Sequence, residues 1–157
     1  MIVALTRPTG PELYECELTH LDRSPIDIDR AVEQHDQYLD VLRALDVEVI
    51  ELPRLDGHPD AVFVEDTAVV LDEVAVVLCP GALSRRGEVA SVEAALADYR
   101  PTVSMSAPAT LDGGDVIVFG KRILVGETTR SNRAGIEALA DLVAPFGYTC
   151  LLYTSDA

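Results

Sequence analysis

The chain contains 157 residues, 48% hydrophobic and 25% charged, which is typical of one globular domain and excludes a disordered or fibrous protein. Its 12 Lys and Arg residues against 27 Asp and Glu residues give a net charge of −15, which argues against a nucleic acid partner because phosphate backbones would be repelled. No apolar stretch approaches the roughly 18–20 residues that span a bilayer, so no membrane partner is expected either.

The first third of the chain predicts a strand, a helix and a second strand. The apolar start lacks the basic segment of a signal peptide and predicts a strand over Ile2–Leu5. After a long loop, the hydrophobic pattern predicts a helix near Asp29–Leu45 and a strand over Val47–Leu52. Pro53–Pro59 is the expected linker to the next unit.

The middle of the chain predicts a β-hairpin followed by a helix. Two runs rich in β-branched residues, Val69–Leu71 and Val74–Leu78, flank a short acidic turn. A Gly and a polar segment containing arginines, "PGALSRRGE", come next. A helix is then predicted near Glu88–Tyr99, with Ser84 as its N-cap.

The same pattern returns about 48 residues later. Ile117–Phe119 and Arg122–Val125 predict a second hairpin, and "GETTRSNRAG" leads into a helix near Asn132–Phe146, capped by Ser131 or Asn132. A repeated unit of strands and one helix buries its core against its neighbours. The sequence therefore predicts an α/β protein with a layered or propeller-like arrangement of such units.

The three cysteines favour a reducing compartment. Cys16, Cys79 and Cys150 are odd in number, far apart and without the spacing of zinc ligands. A disulfide framework or structural zinc site is therefore not expected, and the cytoplasm is the predicted location.

Four acids precede the predicted strands on the same side of their hairpins: Asp60, Glu65, Asp66 and Asp112. A buried carboxylate without a partner costs several kcal/mol, so these side chains require a cation. A metal ion is one candidate, although His58 is the only histidine that accompanies the acids at ligand spacing. A guanidinium is the other, because its planar donors match carboxylates bidentately, and it could come from a ligand or from the chain's own Arg85, Arg86 or Arg130. Ordinary strand-end salt bridges and turn contacts remain an equal alternative.

Four segments carry a resemblance to a known family: "PDAVFVEDTAVV", "PGALSRRGE", "ATLDGGDVIVFG" and "GETTRSNRAGIE". From about Thr6 to Gly147 the chain resembles the dimethylarginine dimethylaminohydrolases of the guanidine-modifying (pentein) superfamily. The family fold is a five-bladed ββαβ propeller, and the resemblance implies that about three blades are present. It implies an N-terminal part of a single pentein domain over 1–150, with 151–157 a non-native tail.

The resemblance implies a role for each matching residue. Asp66 and Asp112 correspond to the catalytic acids that bind and orient the substrate guanidinium, although many relatives have Glu where Asp112 stands. The remaining matches are substrate-binding: Leu18 in the lid loop through its carbonyl, Asp60 and Glu65 as pocket acids, Phe63 beside the guanidinium, and Arg85 and Arg130 on the α-carboxylate.

The reaction implied is hydrolysis of Nω-methylated arginine to citrulline and methylamine or dimethylamine. In the family a Cys thiolate attacks the guanidinium carbon, a His transfers the protons, and neither a metal nor an organic cofactor is needed. The segment "APFGYTCLLYTSDA" stops before both family positions, so the 157 residues alone are expected to be inactive.

Two other classes of function stay open. A relative of arginine deiminase or amidinotransferase would share the acids, but arginine deiminases carry Arg where this chain has Glu65. A non-catalytic guanidinium-binding fragment is the second alternative, and its exposed apolar edges would favour association, including a homo-oligomer.

Overall fold

The computed structural model describes residues 2–18 and 21–153. The chain divides into two units, Met1–Val64 and Glu65–Ala157. In the described part of the chain, no helix is both long and apolar enough to cross a membrane.

The first unit contains a two-stranded parallel sheet and one long helix. Strand β1 (Ile2–Thr6) pairs with β2 (Val47–Glu51), and α1 (Ile28–Ala44) connects them. Asp27 caps α1 by accepting a hydrogen bond from the Arg30 amide at 3.0 Å. The three predicted elements are confirmed to within one residue at each end.

The second unit contains two successive ββαβ repeats. In the first, β3 (Ala68–Val70) and β4 (Ala75–Val77) are antiparallel, and α2 (Val89–Ala97) returns the chain to β5 (Thr102–Ser104), parallel to β4. In the second, β6 (Val116–Phe119) and β7 (Arg122–Gly126) are antiparallel, and α3 (Arg133–Val143) leads to β8 (Thr149–Tyr153), parallel to β7. The predicted duplication and both hairpins are confirmed, and the fold is mixed α/β.

The helix starts are only partly as predicted. Asn132 caps α3, since its Oδ1 accepts a hydrogen bond from the Gly135 amide at 2.7 Å. Ser84 is not an N-cap: a 3-10 helix over Leu83–Glu88 begins after Ala82, and α2 follows directly from Glu88. The 3-10 helix satisfies the first backbone groups, so α2 begins without a capping side chain.

The last described strand, β8, extends into the predicted tail. Residues 151–153 do not leave the strand pattern, because β8 runs to Tyr153 in register with Gly126 of β7. The rest of the predicted tail, residues 154–157, lies outside the described residues.

Both repeats contribute to one hydrophobic core. Val76 and Leu78 from the first hairpin pack in the same cluster as Ile123, Leu139 and Val143 from the second repeat, and all five are buried. Each repeat thus covers apolar surface that the other could not bury alone, as expected for repeated units.

The two hairpin turns are joined by a polar cluster. Glu73 and Lys121, 48 residues apart, form an ion pair, and the Tyr148 hydroxyl donates to Glu73 Oε2 at 3.0 Å. Lys121 Nζ also lies 3.9 Å from the centroid of the Tyr148 ring. Equivalent turns of the two repeats are therefore in contact through their side chains.

This cluster predicts a pH-dependent contribution to stability. The hydrogen bond from Lys121 lowers the pKa of Glu73 below its ordinary 4.5. The contribution is therefore present above about pH 4.5 and is lost as the pH falls through the lower folded value. We expect Glu73→Gln to reduce stability at pH 7, and the difference from the wild type to shrink as the pH falls below about 4.5, as measured by urea unfolding over a series of pH values.

Asp72→Asn in the same turn is the matched control, because Asp72 is exposed and lies next to Glu73. An equal loss in the two variants at pH 7 would contradict a specific role for the Glu73 ion pair. The effect is expected to be small, since exposed ion pairs are weakened by solvent and salt.

Candidate functional site

In the first unit, Asp60 organises the backbone beside Leu18. The buried Asp60 carboxylate accepts hydrogen bonds from the Glu17 amide at 3.2 and 3.1 Å, one to each oxygen. Its carbonyl accepts from the Phe63 amide at 2.9 Å. Leu18 and Phe63 are themselves exposed. Asp60 is thus a structural anchor between the two segments that carry the predicted substrate contacts of this unit. The next two residues of the predicted lid loop, 19 and 20, lie outside the described residues.

In the second unit, Asp66 and Arg85 form an ion pair at the entrance of the first hairpin. Arg85 is only 1% exposed and also binds the Glu88 carboxylate, with Nη2 2.8 Å from Oε2. Burial acts to lower the pKa of Arg85, but the hydrogen bonds to Glu88 and Asp66 outweigh it and raise the pKa. The guanidinium therefore stays charged although it is buried.

Asp112 occupies the corresponding entrance of the second hairpin. It is 4% exposed, accepts a hydrogen bond from the Gly81 amide at 2.9 Å, and lies 3.5 Å from Arg130 Nη1. Burial raises the pKa of Asp112, and the charge of Asp66 raises it further, whereas Gly81, Arg85 and Arg130 act to lower it. Asp66 is therefore close enough to influence the ionisation of Asp112.

Two glycines allow the hairpin entrances to approach each other. The Gly114 amide donates to Asp66 Oδ1 at 3.0 Å. A Cβ atom at Gly113 would lie 2.0 Å from the Glu65 carbonyl oxygen, which no side chain could tolerate. The "DGGD" sequence thus brings Asp66 against the loop that carries Asp112, and the close approach of the Glu65 carbonyl requires glycine at position 113.

A buried hydroxyl fixes the same loop from the other side. Ser131 Oγ accepts a hydrogen bond from the Asp112 amide at 3.0 Å and donates to Asp115 Oδ2 at 2.5 Å. Asp115 also accepts from the Thr128 hydroxyl at 2.9 Å. The network holds the Asp112 backbone in place, and the Asp112 carboxylate contacts the Gly81 amide and Arg130 instead.

The structure brings together four of the predicted residues, all in the second unit: Asp66, Arg85, Asp112 and Arg130. Of the arginines considered as partners of the acids, Arg85 pairs with Asp66 and Arg130 pairs with Asp112. Arg86 instead donates to the Pro80 carbonyl at 3.1 Å, and Glu65 is exposed. Among the described residues, no three His, Cys, Asp or Glu side chains are grouped to hold a metal ion.

Sequence reasoning missed Glu88 and the Ser131–Asp115 pair. Glu88 is buried against Arg85, three residues earlier, and this spacing was the available signal. Ser131 was considered only as a helix cap, whereas its hydroxyl binds within the Asp112 loop. These residues determine where the predicted acids and arginines lie.

The ββαβ repeats, with paired acids and arginines at the hairpin entrances, agree with the class that the sequence resemblance implies: an α/β protein of the pentein superfamily. A family model described as "N,N dimethylarginine dimethylhydrolase, eukaryotic" matches residues 19–157. The chain is 43% identical over 145 residues to the dimethylarginine dimethylaminohydrolase of Streptomyces coelicolor, covering 92% of this chain and 56% of that protein. It is 33% identical over 123 residues to the dimethylarginine dimethylaminohydrolase of Pseudomonas aeruginosa, covering 77% of this chain and 48% of that protein. The chain belongs to the dimethylarginine dimethylaminohydrolase family.

Solved structures agree with this placement. A cysteine-to-serine mutant of the Pseudomonas aeruginosa enzyme, complexed with citrulline, matches with a TM-score of 0.93 and 29% identity, over 99% of this chain and 61% of that one. The N-terminal domain of ArgZ, a cyanobacterial arginine dihydrolase, matches with a TM-score of 0.85 at 19% identity and supports the fold alone. The chain spans about half the length of the curated relatives it matches.

Proposed function

We propose that this chain forms the guanidinium-binding part of an enzyme that hydrolyses Nω-methylated arginine to citrulline and methylamine or dimethylamine. The observation that carries the proposal is the pairing of Asp66 and Asp112 with arginines at two adjacent hairpin entrances, in a member of this family. Citrulline is the ligand bound in the matching Pseudomonas aeruginosa structure, in agreement with the expected product.

In this proposal the two acids bind the positively charged guanidinium of the substrate. Asp66 and Asp112 would accept its N–H donors, and Arg85 and Arg130 would bind the α-carboxylate. The remaining proposed contacts are Leu18, Asp60, Phe63 and Glu65. Because Arg85 and Arg130 are already bound to the acids, substrate binding would exchange part of these ion pairs for contacts with the substrate.

The proposed chemistry requires a nucleophile and a proton carrier. A Cys thiolate would bond to the guanidinium carbon, a His would protonate the departing methylamine or dimethylamine, and a water activated by the same His would then displace the sulfur and release citrulline. We propose that both groups come from outside these 157 residues. The cysteines of this chain support that assignment: Cys79 packs in the apolar core, and Cys16 is buried. Burial also raises the pKa of Cys150, which disfavours its thiolate.

We further propose that the two repeats belong to a single five-bladed propeller domain, with the protein located in the cytoplasm. The row Val69, Val76 and Val103 crosses the first sheet within the core shared by both repeats. The corresponding positions, 48 residues later, form the row that crosses the second sheet: Ile117, Leu124 and Leu151. That second row is 63%, 41% and 45% exposed. A further ββαβ unit packed on it would bury it as the first row is buried.

The proposal is tested by citrulline release from the complete protein with dimethylarginine, methylarginine and arginine as substrates. We expect turnover of the methylated substrates to exceed that of arginine, and Asp66→Asn to reduce turnover by at least about 100-fold, because a charge-assisted pair is replaced by a neutral one. Faster turnover of unmethylated arginine would contradict the proposed substrate. The 157 residues alone are expected to release no citrulline, and release that disappears in Cys79→Ser would show that this chain supplies its own nucleophile.

A further inference from the structure

Glu88 is a buried carboxylate that the proposed reaction does not use. It is 2% exposed and lies at the end of the 3-10 helix, where α2 begins. Arg85 Nε lies 3.2 Å from each Glu88 carboxylate oxygen, and Nη2 lies 2.8 Å from Oε2. This side-on arrangement fixes the plane of the guanidinium, because its rigid donors cannot rotate without losing the paired contacts.

The opposite edge of the same guanidinium binds Asp66. Nη1 of Arg85 donates to Asp66 Oδ2, while the Gly114 amide donates to Oδ1 at 3.0 Å. Glu88, Arg85 and Asp66 thus form a continuous chain of charged contacts, and the position of Asp66 depends on Arg85. Rotation of Arg85 would break its contact with Asp66 Oδ2 and leave Oδ1 held by the Gly114 amide.

The same charged contacts determine the net charge near a bound ligand. The ion-paired side chains here are three carboxylates, Asp66, Glu88 and Asp112, and two guanidiniums, Arg85 and Arg130, which leave one negative charge. Without Glu88 these groups would be neutral, and Arg85 would compete directly with an incoming cation for Asp66. At an effective dielectric constant of about 20, one charge about 10 Å away changes cation affinity by roughly tenfold.

We propose that Glu88 is a positioning residue, which holds the Arg85 guanidinium and offsets its charge so that Asp66 and Asp112 retain a net negative charge for a guanidinium ligand. This inference rests on the proposed function, since it concerns the same binding site. Glu88 acts through Arg85 and need not touch the ligand.

The test compares a cation with a neutral molecule of the same shape. Methylguanidinium and methylurea are titrated into this chain and followed by NMR chemical shifts; neither carries a carboxylate, so loss of a carboxylate contact cannot affect the result. We expect Glu88→Gln to weaken the affinity for methylguanidinium by about tenfold and to change the affinity for methylurea by less than about twofold. Glu88→Asp, which keeps the charge, should retain most of the preference for the cation.

The double variant Arg85→Met with Glu88→Leu separates charge from packing. It removes one positive and one negative charge, so the remaining groups again carry one negative charge, and the preference for methylguanidinium over methylurea should be retained, while both ligands bind more weakly because Asp66 loses its contact with Arg85. Equal weakening of methylguanidinium and methylurea in Glu88→Gln would show a purely structural role and overturn the inference. Loss of the cation preference in Glu88→Asp would overturn it as well.

A measurement without ligand keeps this inference distinct from the proposed function. Absence of methylguanidinium binding by the wild type would count against the proposed function, not against the role of Glu88. In that case the Asp112 carboxyl is titrated by NMR in the wild type and in Glu88→Gln. The positive charge of Arg85 already acts to lower the pKa of Asp112, so removing Glu88 should lower that pKa further. An unchanged Asp112 titration would overturn the inference.

Discussion

Replacing Gly113 with alanine is expected to lower the free energy of unfolding by about 3 kcal/mol or more, among the larger effects of a single substitution. An added Cβ would lie 2.0 Å from the Glu65 carbonyl oxygen and 3.3 Å from the Asp66 Cα. Both are backbone atoms, so no side-chain rotation can relieve the contact. The two hairpin entrances would have to separate, and Asp66 would lose its hydrogen bond from the Gly114 amide.

Urea unfolding measures this effect, and Gly126→Ala is the matched control. A Cβ at Gly126 would meet its nearest neighbours at 3.9 and 4.0 Å, which is ordinary van der Waals contact. Gly126 also lies at the end of a strand in the same unit. Similar stabilities of the two alanine variants would mean that the entrances can separate freely, and the close approach at Gly113 would then not be needed to position Asp66.

The strands and helices that could be predicted are those that a local pattern of apolar and polar residues indicates. The hairpins were found because runs of β-branched residues flank short polar turns, and α3 because its apolar residues share one face. Strand β5 was missed because Thr102–Ser104 is short and largely polar, and it becomes a strand only by pairing with β4. Strand β8 was not predicted for the same reason: β7 provides the partner, which the local sequence does not reveal.

In the candidate site too, the residues marked by local sequence could be predicted, and those that depend on tertiary packing could not. Carboxylates flanking apolar strands are conspicuous in a sequence, so Asp66 and Asp112 could be predicted, and the structure brings them together. Glu88 lies three residues after Arg85, but this spacing could not show that the pair is buried, because an acid near the start of a helix is also favourable when solvated. Its burial arises from tertiary packing of the 3-10 helix, whose presence before α2 was also not predicted.

Replacing Arg85 with alanine is expected to lower the free energy of unfolding by about 3–5 kcal/mol, because it removes one partner of a buried ion pair. Arg85 and Glu88 are both almost fully buried, and the substitution would leave the Glu88 carboxylate without the paired donors of Arg85. Asp66 would lose its contact with Arg85 at the same time. The loss should therefore be far greater than for removing an exposed arginine.

Two comparisons separate the buried charge from the loss of side-chain volume, both by urea unfolding at pH 7. Arg86→Ala removes the neighbouring arginine, whose Nε donates a hydrogen bond to the Pro80 carbonyl oxygen at 3.1 Å. This substitution should lower the free energy of unfolding by about 1 kcal/mol. The double variant Arg85→Met with Glu88→Leu removes both charges and refills the space with apolar atoms, so it should recover most of the stability lost in Arg85→Ala. If the double variant were as unstable as Arg85→Ala, the loss would come from packing. If it recovers, the buried pair is replaceable for stability, which agrees with the proposed role of Glu88 in holding Arg85 and offsetting its charge.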